Sequence, residues 1–325
     1  MVSEPTPRQP DPTLPPAPRG SGTGVLGNAV RHPGGTLTLI GASAIWGLWT
    51  TAEKYSIQGL PVMTVLAVSL LTAAALPWAV LLYRGGHRRP SRDQLKRLAL
   101  LGLFEPMVGY GAIGLGMARI DATQASILRG SEACFVVALA AVISRRAPTL
   151  RGVGGVVLGA VGVAALGGSH ALLGLGVGDL LVLAGTFAAA AATIVTGRIV
   201  RETDPLVATA YQFGFGLLFS LPLFAGQWVI SGSLVTDDAR PLHWIVAAGV
   251  CGGGLAGAFL MYNYAVTRTP VTTAGVLLNI IPVFGLAFAV ALLGERIDVW
   301  QYVGAALILA GIFLFSEIPG ADADG

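Results

Sequence analysis

Charge is scarce in this chain. Asp, Glu, Lys and Arg make up 11% of its 325 residues, against about 25% for a soluble domain. So few charges cannot cover a globular surface with solvated groups, which excludes an ordinary water-soluble fold. Cysteine is nearly absent. Cys134 and Cys251 both fall in apolar runs, and neither belongs to a metal-ligand spacing or a disulfide framework. Histidine is also rare: His32, His87, His170 and His243 lie in links or at the ends of apolar runs. There is no HExxH run, and no Ser/His/Asp set has support, so no cofactor or metal is expected. The first residues lack a basic stretch followed by an apolar one, so no cleaved signal peptide is expected. The net charge of +3 and pI near 9.1 do not point to nucleic acid, because the basic residues sit in short links without a basic face.

Apolar residues, by contrast, make up 54% of the chain, with a mean hydropathy of +0.72. A helix needs about 20 apolar residues to cross a bilayer. Ten segments qualify: 35–54, 62–83, 97–118, 121–143, 150–168, 178–197, 205–229, 242–265, 271–293 and 299–316. The links are short and leave no room for a sizeable soluble domain. Residues 1–34 differ, with Pro5, Pro7, Pro10, Pro12, Pro15, Pro16 and Pro18 and little apolar content. They read as a disordered, Pro-rich cytoplasmic tail. Residues 318–325 form a short acidic tail.

The second half repeats the first. Gln124 to Gly152 aligns without a gap on Ala274 to Tyr302, with Leu128 on Leu278 and Arg145-Arg146 on Glu295-Arg296. Lys54 and Pro61 match Arg198 and Pro205, and Gly155 and Gly162 match Gly304 and Gly311. Small residues seven apart share a helix face and let backbones approach, so spans 5 and 10 read as packing helices. Trp228, Trp244 and Trp300 sit near span ends, as interfacial anchors do. The expected fold is an all-α membrane protein of ten transmembrane helices, in two five-helix repeats over 35–170 and 171–317.

Five is odd, so the second repeat enters the membrane upside down. Placing both termini in the cytoplasm assigns 15 of the 20 Lys and Arg to the inside and 4 (Lys54, Arg119, Arg240 and Arg296) to the outside, with Arg129 within a span. That bias fixes orientation. The two repeats are thus inverted, an arrangement that places substrate between halves that rock against each other.

Ten spans, two inverted halves, Trp46-Gly47, Pro282, Glu295-Arg296, Gly304 and Gly311, with the closing run from Pro282 to Phe315, resemble the drug/metabolite transporter (DMT) superfamily in its EamA branch. The resemblance covers about residues 35–316 and is stronger in the second half. It implies transport of small metabolites across the cytoplasmic membrane, often export. The central cavity would be lined by spans 1–4 and 6–9, with spans 5 and 10 outside it. Three residues depart from the pattern. Glu132 stands at the counterpart of Pro282, Arg145 at the counterpart of Glu295, and Ser69 where many relatives carry arginine.

Three ionisable residues are expected deep in spans: Glu105 in span 3, and Arg129 and Glu132 in span 4. Each costs at least about 2.5–3.5 kcal/mol at mid-bilayer on insertion scales. Arg129 and Glu132, at i and i+3, share a helix face. They read either as a static ion pair or as a site for substrate, a proton, or each in turn. Two glutamates against one arginine leave a formal charge of −1, which a cationic or zwitterionic substrate or a proton would balance. Trp46, Trp49, Tyr110, Tyr211, Gln212, Tyr262, Asn263, Tyr264 and Asn279 supply further wall candidates. Asn279 is the repeat counterpart of Arg129 and should face it.

The reading is a secondary transporter of amines, amino acids or related metabolites by alternating access, with export on family grounds. Partners are a small-molecule substrate and the lipid bilayer, and the sequence leaves homodimerisation open. A lipid or polyisoprenoid-carrier flippase of the same fold is the alternative. Gly176-Val177-Gly178-Asp179 resembles the GxGD motif of intramembrane aspartyl proteases, but no span interior holds the second aspartate, and Asp179 suffices as a helix N-cap.

Overall fold

The computed structural model describes residues 33–86, 89–144, 150–165, 175–199, 202–266, 278 and 280–316. Among them every regular element is a helix. Helix α1 is Pro33–Gly59 and α2 is Val62–Tyr83. Helix α3 runs over Arg92–Met117, with a π-helical turn at Leu103–Val108. The fourth span is broken into α4 (Ala122–Arg129) and α5 (Glu132–Ser144). Then come α6 (Leu150–Ala165), α7 (Val177–Ile199) and α8 (Pro205–Ser231). Helix α9 comprises Pro241–Val246, a π-helical stretch Ala247–Gly254, and Leu255–Val266. The last two are α10 (Ile281–Leu293) and α11 (Val299–Ser316).

Local chemistry sets the ends. Ser91 and Gln94 form a capping box at the start of α3. Asp204 accepts from the Leu206 and Val207 amides ahead of Pro205, opening α8. Gly232 and Gly294 close α8 and α10 at φ +67° and +68°, a backbone region glycine enters without a Cβ clash.

Six helices among the described residues are long and apolar enough to cross a membrane. Outward faces carry bare apolar side chains such as Leu71, Leu82, Val157, Leu180 and Ile230. A surface of that kind suits lipid rather than water. Trp228 and Trp300 are about half exposed near helix ends.

The packing has an internal regularity. Helix α1 lies against α9 and α10, while α7 lies against α3 and the α4–α5 pair. Helix α2 packs on α8 and on the π stretch of α9, while α8 packs on the first part of α3 and its π turn. Exchanging α1 with α7, α2 with α8, α3 with α9, and the α4–α5 pair with α10 maps these contacts onto one another.

Helices α6 and α11 pack on each other, through the glycines expected. A Cβ at Gly162 would lie 2.9 Å from the Gly304 carbonyl oxygen, and one at Gly311 2.6 Å from that of Gly155. Likewise α1 meets α10 where a Cβ at Gly47 would lie 2.6 Å from the Phe284 Cβ. The backbones touch because these positions carry no side chain.

Two expectations about spans need correction. The first helix does not stop at residue 54 but runs on to Gly59. The pair Glu53-Lys54 resembles a membrane boundary in sequence, but no helix breaker occurs before Gly59 and Pro61. The fourth span covers Ala122–Ile143, as expected, but is not one regular α-helix. Gly130 and Ser131 bond back three residues to Ile127 and Leu128, and the Ser131 hydroxyl donates to Leu128 O as well.

Candidate functional site

The buried centre of the bundle is built on one turn of α1. Trp49 is 1% exposed and stacks at a tilt on Tyr110 of α3, with ring centroids 4.6 Å apart. The Arg129 guanidinium carbon lies 4.9 Å above the Trp49 ring, in cation–π range. Its Nη1 donates to the Thr50 hydroxyl at 3.0 Å. Arg129 ends α4 because the chain breaks there, which turns its side chain towards α1.

The break also separates Arg129 from Glu132. No Arg129 nitrogen comes within 4.0 Å of a carboxylate oxygen of Glu53, Glu105 or Glu132. The static i, i+3 ion pair, one of the two readings of these residues, is therefore not made: a tighter turn with bonds back three residues lies between them. Glu132 instead accepts from the Thr193 hydroxyl of α7 at 3.3 Å. Its charge and those of Glu105 and Arg129 still act on one another.

Glu105 lies within the π turn of α3, with non-helical backbone angles (φ −143°, ψ 115°). The following Pro106 drives its neighbour into the extended region. The freed Glu105 carbonyl accepts from the Gln212 amide of α8 at 2.9 Å. The Tyr110 side chain interacts with the Glu105 carboxylate. Arg129 and Tyr110 thus meet on the Trp49 ring, Gln212 is tied to Glu105, and Glu132 lies within electrostatic reach of Arg129.

Other expected wall residues lie apart. Trp46 meets Phe259 and Tyr262 edge-on, at 5.2 and 5.7 Å. Tyr211 packs beside Trp78 and Phe215 in a satellite apolar cluster. Asn263 donates to Thr209 at 3.0 Å, its own oxygen enclosed without a partner. Tyr264 is 49% exposed. Asn279 lies outside the described residues. Asp179 is not the N-cap of α7 but sits in its first turn, accepting from the Gly176 amide and the Gln124 side chain.

The structure adds a residue that sequence reasoning missed. Glu53 is 2% exposed, and its Oε2 is enclosed without a hydrogen-bond partner. It borders a cavity of about 10 Å³ together with Trp49, Ser69, Tyr110 and Leu255. That is room for about one water. The sequence signal was available: Glu53 lies four residues after Trp49, one helical turn along a face that also carries Trp46.

Hydrogen bonds join helices of the first and second parts of the chain at both ends of the bundle. At one end Gln94 donates to Glu202 O and Thr203 Oγ1, and Arg97 lies 3.5 Å from Glu202. A recess of about 570 Å³ lies there, between the α2–α3 and α7–α8 links, away from the charged centre. At the other end Glu295 accepts from the Ala122 and Thr123 amides, and Gln227 accepts from the Met63 amide.

A multi-pass helical bundle faced with apolar side chains, with charge at its centre, is that of a membrane transporter. The chain belongs to the EamA-like transporter family, whose model matches residues 33–168 and again 176–317. It is 28% identical over 287 residues to a probable terminal-alkyne amino-acid exporter of Streptantibioticus cattleyicolor, covering 85% of this chain and 89% of that one. It is 28% identical over 220 residues to a probable amino-acid metabolite efflux pump of Salmonella typhimurium, covering 63% and 70%. An uncharacterized transporter of Archaeoglobus fulgidus is 27% identical over 253 residues, covering 75% and 84%. A crystal structure shares the fold with a TM-score of 0.59 at 19% identity, covering 85% of this chain and 96% of that one. The family is one of transporters, not enzymes.

Proposed function

We propose that the protein exports amines, amino acids or related metabolites across the cytoplasmic membrane by alternating access. One observation carries this reading: Arg129, Glu105 and Glu132 act on one another's charge in an apolar bundle without a contact ion pair among them. Ionisable groups at membrane depth are costly and mark substrate or proton pathways. The names of the Streptantibioticus and Salmonella relatives favour amino-acid-like solutes and outward transport.

The carrier has ten spans, in halves of opposite orientation, with both termini in the cytoplasm. The exchange of packing partners between α1 and α7, α2 and α8, and α3 and α9 supports two equivalent units, and the Lys and Arg bias of the links supports the orientation. The hydrogen bonds at the two ends act as gates that open in turn. With both made and little space between, the structure corresponds to an occluded state. Glu105 and Glu132 exchange a proton against the substrate, with Arg129 close enough to bias which form each holds.

The test uses protein in proteoliposomes loaded with a pH-sensitive dye, with pools of amines, amino acids and nucleosides added outside. Proton movement that depends on one pool and vanishes in Glu132→Gln is the expected result. Labelled solute that equilibrates without proton movement would remove the coupling. No solute movement at all would remove the reading and favour lipid as cargo.

A further inference from the structure

We propose that Glu53 on α1 is the seat of the substrate's ammonium group. This rests on the amine or amino-acid reading above and names the residue that recognises that class.

Glu53 is 2% exposed, and no donor reaches its enclosed Oε2. The side chain borders a small cavity at the centre of the bundle. A carboxylate left there without a donor costs several kcal/mol, so the position is an expensive one to maintain for packing alone. Leucine or methionine would fill the same space without that cost.

The other polar groups on the cavity wall decide the sign of the ligand. The Ser69 hydroxyl gives its proton to Ala247 O at 3.2 Å, which leaves its lone pairs to accept. The Tyr110 side chain interacts with Glu105. Glu53, when ionised, can only accept. Ser69 and Glu53 thus offer acceptors to this cavity, and its wall includes the Trp49 ring. An ammonium carries three donors and no acceptor, and an aromatic face attracts it. An anion would be repelled by the Glu53 charge.

The neighbouring cation does not fill this role. Arg129 is the charged group on another helix that acts on Glu53, but its guanidinium is held to Thr50 and the Trp49 face, more than 4.0 Å from the carboxylate. Arg129 thereby stays free to meet a substrate carboxylate, while Glu53 meets the ammonium. The cavity now has room for about one small group, so the remainder of the substrate enters when a gate opens.

Gly114 provides an independent handle. A Cβ there would lie 2.6 Å from the Glu53 Oε1 and 2.9 Å from a Val62 methyl. The carboxylate ends a flexible side chain and can swing aside, whereas the Val62 methyl is held by a stiff χ1, so Gly114→Ala moves the carboxylate without removing its charge.

The test uses the full chain in nanodiscs and reads ligand-dependent thermal stabilisation. The probes are an equimolar mixture of the twenty common amino acids, the same mixture N-acetylated, and the alkylamines from ethylamine to hexylamine. The expected result is stabilisation of the wild type by the amino-acid mixture, by the alkylamines, or by both, and none by the acetylated mixture. Which of the first two acts tells an amino acid from a simple amine. Glu53→Gln should need at least tenfold more ligand, and Gly114→Ala should shift the same way. Gly114→Ala keeps the test decisive if Glu53→Gln fails to fold. Equal affinity in these variants, or equal stabilisation by acetylated ligands, overturns the assignment while leaving the transporter reading intact. Wild type unaffected by all three probes overturns both.

Discussion

Glu295 caps a helix that belongs to the other half of the molecule. Its Oε1 accepts from the Ala122 amide at 2.9 Å and its Oε2 from the Thr123 amide at 2.7 Å. Asp121, the residue before α4, makes no side-chain cap of its own. The first amides of a helix otherwise have no intrahelical partner, and a carboxylate there also meets the positive end of the helix dipole. Glu295→Ala should therefore lower unfolding stability by about 0.5–2 kcal/mol, the usual value of a lost cap. Thermal unfolding in detergent checks it. A change within error would mean that water replaces the carboxylate.

Glu202 at the opposite end should behave differently. Its contact with Arg97 is 3.5 Å long, and the two side chains are about half exposed. Exposed pairs contribute about 0–1 kcal/mol. Gln94 bonds the backbone of Glu202 and the side chain of Thr203, which Glu202→Ala leaves in place. Thermal stability should fall by less than about 1 kcal/mol. A larger loss would make this contact more than a surface pair.

Two glycine substitutions should have opposite signs. At Gly311 an added Cβ would lie 2.6 Å from the Gly155 carbonyl oxygen, which is backbone and cannot swing away. Gly311→Ala should destabilise by about 1–3 kcal/mol, as overpacking does. At Gly226 in α8 an added Cβ meets nothing within 4 Å. Gly226→Ala should be neutral or stabilising by up to about 1 kcal/mol, because alanine favours the helix. Unfolding midpoints of the pair decide the matter, and equal shifts would contradict the α6–α11 contact described.

Thr50 holds Arg129 by its hydroxyl. Thr50→Val removes that acceptor at nearly constant shape, and a hydrogen bond to a charged group is worth about 1.5–3 kcal/mol. Substrate-dependent proton movement should fall with it. Thr50→Ser should restore both stability and proton movement. Failure of serine to rescue would show that the methyl group, not the hydroxyl, matters at this position.

Much of the architecture was legible in the chain. Helices could be placed because their runs are apolar throughout and end at Pro61, Ser91, Asp204 and Gly294, residues with their own reasons to end or begin a helix. The glycine spacing at 155 and 162, and at 304 and 311, marked spans 5 and 10 as packing helices, since close approach needs missing side chains; that they pack on each other came from the structure. The centre was less legible. Glu105 and Arg129 were expected to be costly at membrane depth and Tyr110 and Gln212 were wall candidates, and these four do lie close together. Tyr211 and Asn263 were wall candidates too but find neighbours elsewhere, because burial does not say which neighbours a side chain will have.

The sequence by itself determined the solvent, the helices and the family, because these follow from composition, periodicity and motif, which are local or additive along the chain. Only the tertiary structure decided the partners of the buried charges. The turn at Gly130-Ser131 parts Arg129 from Glu132, and the five further residues of α1 carry Glu53 into the core. Both outcomes depend on where a helix yields to its neighbours and on which atoms of another helix lie opposite. Those relations are set by packing between distant segments, and a reading along one chain does not contain them.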